Sequence, residues 1–548
     1  MTLLCVPIQV HSKTDALADA ALAKDQGAGV VEFRVDHVME AAGVDACVHL
    51  SRDLCAGAAL PVIMTCRSAA EGGTFAGAMA DVEAWTRAML EPAGAATPRY
   101  VDVEFAALSK SGVLRSLVHE HDDPARPGVI LSMHDFAGPP RDLARRLLAM
   151  AQTGGVDVIK VAYTARSVRD ALAALALPGE LGRPTIALAM GEFGLLSRVL
   201  APKFGGFLTF AALREASATA PGQPTLALLR ERYRVESIGT ATRVYGIIGW
   251  PVTHSRSPLV HNAGFAAAGV DSVYLPLPVA AGADEETTYA SFKATLLELV
   301  HDERLNFGGA SVTIPHKEHL ARLAREQGWE TDDATRGIGA ANTMVVSARG
   351  DAQREVRALN TDAPAVARCV VRVMGDVRGK MVAVLGAGGA GKAAAWALAT
   401  SGAEVVIVNR SRERAHTLAR AIDEVLPGAS VRVGSAKDLA RAACVVHATP
   451  VGMQGGPAPG ASPLDPAMMA SLPPHCVVFD TVYVPRETPL VRAARQRGLS
   501  VITGDEMFVA QAALQCEAWT KRTAPRDLFA KLVTESLDVA GGGGEAKG

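Results

Sequence analysis

Val156-Asp157-Val158-Ile159-Lys160-Val161 reads as a short β-branched strand that carries one lysine. A run that is apolar on both faces is the mark of a parallel strand covered on both sides. Seven similar runs occur in the first 230 residues. The full set is 3–10, 29–36, 61–67, 100–105, 128–136, 156–163, 184–190 and 205–212, separated by helical stretches rich in Ala, Leu and Arg. Eight such strands alternating with helices predict a (β/α)8 barrel of the TIM type, in which chemistry sits at the carboxyl ends of the strands. Polar residues gather there. Glu32 and Arg34 fall late in the second strand, Arg67 closes the third, His134 and Asp135 close the fifth, and Lys160 lies within the sixth.

A lysine buried in such a strand is costly to keep charged. A neutral lysine amine attacks ketones to form Schiff bases. A histidine on the neighbouring strand end is placed to move protons on that imine, so the reading turns on Lys160 and His134 facing one cavity.

Residues 229–243 are charged and read as a linker. Val244-Tyr245-Gly246-Ile247-Ile248-Gly249 opens a second alternation of strand and helix that runs to about residue 365. Met381-Val382-Ala383-Val384-Leu385 opens a third unit and leads into Gly386-Ala387-Gly388-Gly389-Ala390-Gly391. This G-x-G-x-x-G follows a strand and precedes a helix, the context in which bare backbone lets a pyrophosphate approach a helix N-terminus. The next strand, Glu404–Val408, ends in Asn409-Arg410-Ser411, with Arg414 one turn on. An NAD site carries an acid at this place for the ribose hydroxyls. Cations there suit a 2′-phosphate, so the expected cofactor is NADP.

Ser311-Val312-Thr313-Ile314-Pro315-His316-Lys317 is a strand running into a turn that proline stiffens. Asn342 and Asp362 follow downstream. A lysine and an aspartate flanking a substrate hydroxyl can trade its proton while hydride leaves the same carbon. Upstream, His254-Ser255-Arg256-Ser257-Pro258 sets two hydroxyls on one side of an extended segment, suited to a carboxylate.

Bulk properties narrow the rest. A chain of 548 residues exceeds one core, so two or three domains are expected. The formal net charge of −2 gives no reason to expect nucleic acid or an anionic membrane as partner. No apolar run reaches the roughly 18 residues of a membrane span. Neither a basic leader nor an obligate protein partner is evident, and the cytoplasm is favoured. Eight scattered cysteines, none in Cys-x-x-Cys, predict reduced thiols and no metal site.

Taken together, these motifs resemble two enzyme families in series. Residues 1–228 resemble a type I 3-dehydroquinate dehydratase through Glu32-Phe33-Arg34, Arg67 to Gly73, Ser132 to Phe136, Ile159 to Ala162 and Ser197-Arg198. Residues 244–535 resemble a shikimate dehydrogenase, and the fusion resembles the bifunctional family that joins both. The resemblance implies that Lys160 forms the imine and His134 moves the protons, with Glu71 beside it. It implies that Arg198 clamps the substrate carboxylate, that Glu32, Arg34 and Arg67 bind hydroxyls and position, and that Thr219 and Gln223 form a substrate loop, with threonine in place of the family's serine. In the second half it implies Lys317 and Asp362 as the catalytic pair. Ser255, Ser257, Thr313, Asn342, Tyr483 and Gln511 are implied substrate contacts. Gly386, Gly388, Gly389, Ala390, Gly391, Asn409, Arg410, Ser411 and Arg414 are implied to bind NADP. The implied substrate domain spans 244–365, completed by helices at 505–535, around a Rossmann domain at 375–504; residues 536–548 are expected to form a flexible tail. Quinate dehydrogenase activity is the nearest alternative for the second half, against which Ser257 and Thr313 speak. An inactive quinate-sensing regulator is opposed by the presence of both lysines; a chain with one active half is the further alternative, which Lys160→Ala and Lys317→Ala would separate.

Overall fold

The computed structural model describes residues 2–119, 125–348 and 354–542. The chain divides into two compact units, the first ending at Thr242 and the second beginning at Arg243.

In the first unit all eight expected strands form. They are β1 (Leu3–Gln9), β2 (Val30–Arg34), β3 (Val62–Thr65), β4 (Tyr100–Glu104), β5 (Gly128–Asp135), β6 (Val158–Thr164), β7 (Thr185–Met190) and β8 (Leu208–Phe210). One parallel sheet runs in the order β7-β6-β5-β4-β3-β2-β1-β8. Phe207 N–H donates to the Thr185 carbonyl at 2.8 Å and draws the remaining edges together. Side chains two residues apart on a strand share a face, so the barrel interior rises in layers. Val30, Ile63, Ile130, Val158 and Ile186 make an apolar floor. Two residues further along the same strands stand Glu32, Thr65, Ser132 and Lys160, joined by Asp102 of β4, all buried. The barrel is therefore closed below by hydrocarbon and polar above.

The segment 229–243, expected as a linker, belongs to the first unit up to Thr242. Its charged residues alternate with Leu229, Tyr233, Val235 and Ile238, all buried. Short turns at Leu228–Arg232 and Val235–Ser237 replace an extended connection.

The second unit holds two sheets. The first comprises β9 (Arg243–Gly249), β10 (Ser272–Pro278), β11 (Phe307–Val312), β12 (Glu330–Thr331), β13 (Thr343–Ala348) and β14 (Arg354–Leu359), in the order β10-β9-β11-β13-β14-β12. β13 runs antiparallel to both neighbours. The second comprises β15 (Met381–Leu385), β16 (Glu404–Val408), β17 (Val431–Val433), β18 (Cys444–His447), β19 (Val477–Asp480) and β20 (Ser500–Ile502). It is parallel throughout, in the order β17-β16-β15-β18-β19-β20. This is the doubly wound dinucleotide-binding order, with its reversal between β15 and β18. The helices Gly504–Thr520 and Arg526–Gly542 return to the first of these sheets. Phe508, Cys516, Phe529 and Val533 pack on Val260, and Trp519 packs with Tyr245 and Tyr274. The last helix carries residues 536–542 of the expected tail; 543–548 lie outside the described residues.

Candidate active sites

Lys160 Nζ, 6% exposed as a side chain, donates to Glu32 Oε1 at 2.9 Å and to Asp102 Oδ2 at 3.2 Å. The Phe210 ring lies 4.6 Å below it. Two carboxylates thus offset the cost of burying this amine, a compensation that burial alone did not foretell. Asp102 is itself held by Arg67 (2.9 Å) and by the Ser132 hydroxyl (2.6 Å). Burial raises the Asp102 pKa, but Arg67 and Lys160 outweigh it and hold the carboxyl well below its usual range. Arg67 also donates to Glu104 (3.2 Å) and to Ser132 Oγ (2.8 Å). It is wholly committed to the protein, as a positioning group.

Glu71 Oε2 accepts the His134 backbone N–H at 3.1 Å and lies 3.0 Å from His134 Nδ1. Burial, then the nearby Glu104 charge, push the Glu71 carboxyl up to about 8 against the opposing pull of Arg67. Burial, followed by the charges of Arg67 and Lys160, holds His134 well below the usual imidazole range. At neutral pH the pair is an uncharged imidazole able to take a proton and a carboxyl able to supply one.

Arg198 is 2% exposed, and no ion pair is formed with it among the described residues. Among the described residues its hydrogen bond runs from Nη1 to the Phe210 carbonyl at 3.3 Å, and its Nε has no partner. Burial lowers its pKa to about 10. Such a cation is incomplete without an anion from outside. Arg34 differs, being held by both oxygens of Asp36 at 2.9 and 3.2 Å. Thr219 donates from N–H and hydroxyl to Gln223 Oε1.

Lys160, His134, Glu71, Glu32, Arg34, Arg67, Arg198, Thr219 and Gln223 all line one cavity of about 530 Å³. The sequence reading missed Asp102 and Glu104. Their signal was present: in Tyr100-Val101-Asp102-Val103-Glu104 every second residue faces inward, so two acids had to enter the barrel.

In the second unit, Lys317 Nζ lies 2.6 Å from Asp362 Oδ2. Each residue opens a helix, Lys317–Gln327 and Asp362–Met374. Ser255, Ser257, Thr313, Asn342, Tyr483 and Gln511 line the same cavity, about 720 Å³, and Ala390 of the glycine turn borders it. Ser255 Oγ accepts the Ser257 N–H at 3.2 Å, and Tyr483 stacks on Phe508. Asn342 Oδ1 accepts Thr361 N–H at 2.7 Å, which orients its amide toward Gln511. Ser311 and Gln515 were not foreseen; they hydrogen bond at 3.1 Å on the cavity wall. Met507, Gln511 and Gln515 line it at successive helical turns, and that four-residue spacing was the available signal.

The glycine turn fits a dinucleotide. Gly386 has φ +116°, and a Cβ at Gly391 would come within 2.2 Å of the Gly386 carbonyl oxygen. A Cβ at Gly388, the residue before the helix Gly389–Thr400, would meet no protein atom within 4 Å. That open space at a helix start is where a diphosphate is received. A Cβ at Gly389 would approach Lys317 Cδ at 3.3 Å, so turn and lysine adjoin. At the end of β16, Asn409 Nδ2 donates to the Ser411 carbonyl, and Ser411 Oγ caps the next helix at Arg414 N–H. Arg410 and Arg414 are exposed. Arg410 and Arg414, with no acid at the strand end itself, fit a 2′-phosphate.

Comparison with known proteins finds family matches along the chain. Residues 4–240 match the family described as type I 3-dehydroquinase. Residues 247–344 match the shikimate dehydrogenase substrate binding domain, 368–449 the shikimate/quinate 5-dehydrogenase, and 504–534 the shikimate 5′-dehydrogenase C-terminal domain. A chloroplastic bifunctional 3-dehydroquinate dehydratase/shikimate dehydrogenase of Arabidopsis thaliana is 34% identical, covering 97% of this chain and 84% of that protein. An NADP(+) shikimate dehydrogenase of Anaeromyxobacter dehalogenans is 38% identical over 53% of this chain and 96% of its own. A crystal structure of a shikimate dehydrogenase in complex with NADP+ is 30% identical over 54% of this chain and 96% of that one, with a TM-score of 0.47. With the Arabidopsis relative matched along most of its length, this chain belongs to the bifunctional 3-dehydroquinate dehydratase/shikimate dehydrogenase family.

Proposed function

We propose that residues 1–228 dehydrate 3-dehydroquinate through an imine on Lys160, and that residues 244–535 reduce the resulting 3-dehydroshikimate to shikimate. The observation that carries the first step is the buried Lys160 sharing a cavity with the His134–Glu71 pair and with a cation that lacks an anion. Arg198 takes the substrate carboxylate. Lys160 passes a proton to Glu32 and attacks the ketone carbon; the oxygen takes one proton from the nitrogen and one back from Glu32, leaves as water, and an iminium remains. His134 takes a proton from the adjacent carbon, and the electron pair left behind delocalises onto nitrogen. The hydroxyl beyond it then leaves as water with the proton from His134, and hydrolysis frees Lys160. Arg67 keeps Asp102 and Glu104 in place beneath this chemistry, while Glu71 orients His134.

In the second unit, residues 244–365 and 505–535 hold the substrate and 375–504 hold NADP. Ser255 and Ser257 receive the carboxylate, and Thr313, Asn342, Tyr483 and Gln511 the ring hydroxyls. The glycine turn receives the diphosphate, and Arg410 and Arg414 the 2′-phosphate. NADPH, when bound, supplies the hydride. Lys317 gives a proton to the carbonyl oxygen, and Asp362 holds the lysine in place. Among the described residues no helix is long and apolar enough to cross a membrane. Eight unpaired, buried cysteines suit a reducing compartment such as the cytoplasm.

Two experiments test the reading. Borohydride added with 3-dehydroquinate should fix the substrate on Lys160, located by mass spectrometry; an unmodified Lys160 in folded protein would refute the imine. A mixture of 3-dehydroquinate and NADPH should lose nicotinamide absorbance and yield shikimate; faster oxidation of quinate than of shikimate would reassign the second half.

A further inference from the structure

The nucleotide-binding sheet buries a pair that neither catalytic scheme uses. His447 ends β18 and Asp480 ends β19, opposite one another in register, and both side chains are fully buried. β18 lies beside β15, where the strand order reverses and dinucleotides bind in such sheets.

The hydrogen bonds fix which atoms carry hydrogen. Asp480 Oδ1 accepts Val482 N–H at 3.0 Å, and Oδ2 accepts the Thr488 hydroxyl at 2.6 Å. A carboxylate only accepts, so His447 Nδ1, 2.9 Å from Oδ1, donates. His447 Nε2 lies 2.6 Å from Thr449 Oγ1. In the neutral ring this nitrogen accepts, and the Thr449 hydroxyl hydrogen is aimed at it.

Each end of this chain of bonds leads to the dehydrogenase site. Thr449 stands against the glycine turn, its Cγ2 3.0 Å from where a Gly386 Cβ would lie. Asp480 begins the segment whose Thr481 and Tyr483 line the substrate cavity. The backbone continues the tie: Thr481 N–H donates to the His447 carbonyl at 3.0 Å, and Gln454 N–H to the Val484 carbonyl at 2.9 Å.

We propose that His447 is a positioning residue of the dehydrogenase: a ring locked by Asp480 holds Thr449 against the cofactor turn and anchors the Thr481–Tyr483 segment in the substrate cavity. This rests on reading the glycine turn as the NADP site. A ring that merely filled space would need only volume. Holding both partners in place needs a donor at one end and an acceptor at the other, which asparagine supplies and leucine does not.

The test uses the full chain. NADPH affinity is read from the fluorescence of the bound nicotinamide, kcat and KM are measured for the dehydrogenase, and thermal unfolding followed by circular dichroism reports whether the second unit of the same sample is folded. His447→Leu is expected to weaken NADPH binding and to lower dehydrogenase kcat/KM, each by about ten- to hundredfold. His447→Asn should restore both to within about threefold. Thr449→Val, which keeps the shape and loses the hydroxyl, should weaken NADPH binding about tenfold. Equal impairment of the Leu and Asn variants, or unchanged binding in His447→Leu and Thr449→Val, overturns the role of His447 while leaving the NADP site standing. A wild-type chain that binds no NADPH overturns the nucleotide assignment and this inference with it.

Discussion

Arg198 is left incomplete in the barrel, a buried guanidinium whose Nε has no partner. Holding an unpaired charge out of water opposes folding and is useful only when an anion arrives. Arg198→Met is therefore expected to raise the unfolding free energy of the ligand-free barrel by about 1–2 kcal/mol while raising KM for 3-dehydroquinate at least about tenfold. Urea unfolding and steady-state kinetics on one preparation check both; a variant that is less stable and equally active would contradict the carboxylate role. Glu71 gives a second expectation. Its carboxyl titrates at about 8 in the folded chain, against about 4.3 when unfolded. The folded state binds this proton more tightly, so the associated stability is full below the unfolded value and is lost as the pH climbs through 8. Glu71→Gln should flatten the decline in barrel stability between about pH 4 and about pH 8 that the native chain shows.

At the scale of elements, the glycine turn separates folding from binding. Gly391→Ala sets a Cβ 2.2 Å from the Gly386 carbonyl oxygen. It should lower the melting temperature as well as the NADPH affinity. Gly388→Ala meets open space at an ordinary φ of −87°. It should leave the melting temperature unchanged and raise KM for NADPH about tenfold or more, because the methyl occupies the room of the diphosphate. The double variant Arg410→Ser/Arg414→Ser should weaken NADPH about tenfold and spare NADH, measured as the ratio of the two kcat/KM values. The strands and this turn were legible because a parallel strand covered on both faces has to be apolar, and because close backbone approach admits only glycine. Asp102 and Glu104 are hard to single out in the sequence because only the alternation along Tyr100–Glu104, and not its hydrophobicity, turns them inward. The segment 229–243 reads as a linker for the opposite reason: its surface charges hide the buried Leu229, Tyr233 and Val235. The partners of Lys160 could not be read locally, since Glu32 lies 128 residues away in sequence.

Over the whole molecule, each unit contains its own core, and each cavity is lined by residues of one unit alone. Lys160→Ala should abolish dehydration and leave shikimate oxidation at its native rate. Lys317→Ala should do the reverse, and assays of both activities on each variant would expose any dependence of one on the other. One consequence of housing both cavities in a single polypeptide concerns stoichiometry. Every round of translation delivers the two activities one to one, so a cell cannot adjust their ratio through expression. The standing level of the shared intermediate is then set by the relative speeds built into the two halves, and a substitution that slows only the second would make 3-dehydroshikimate accumulate.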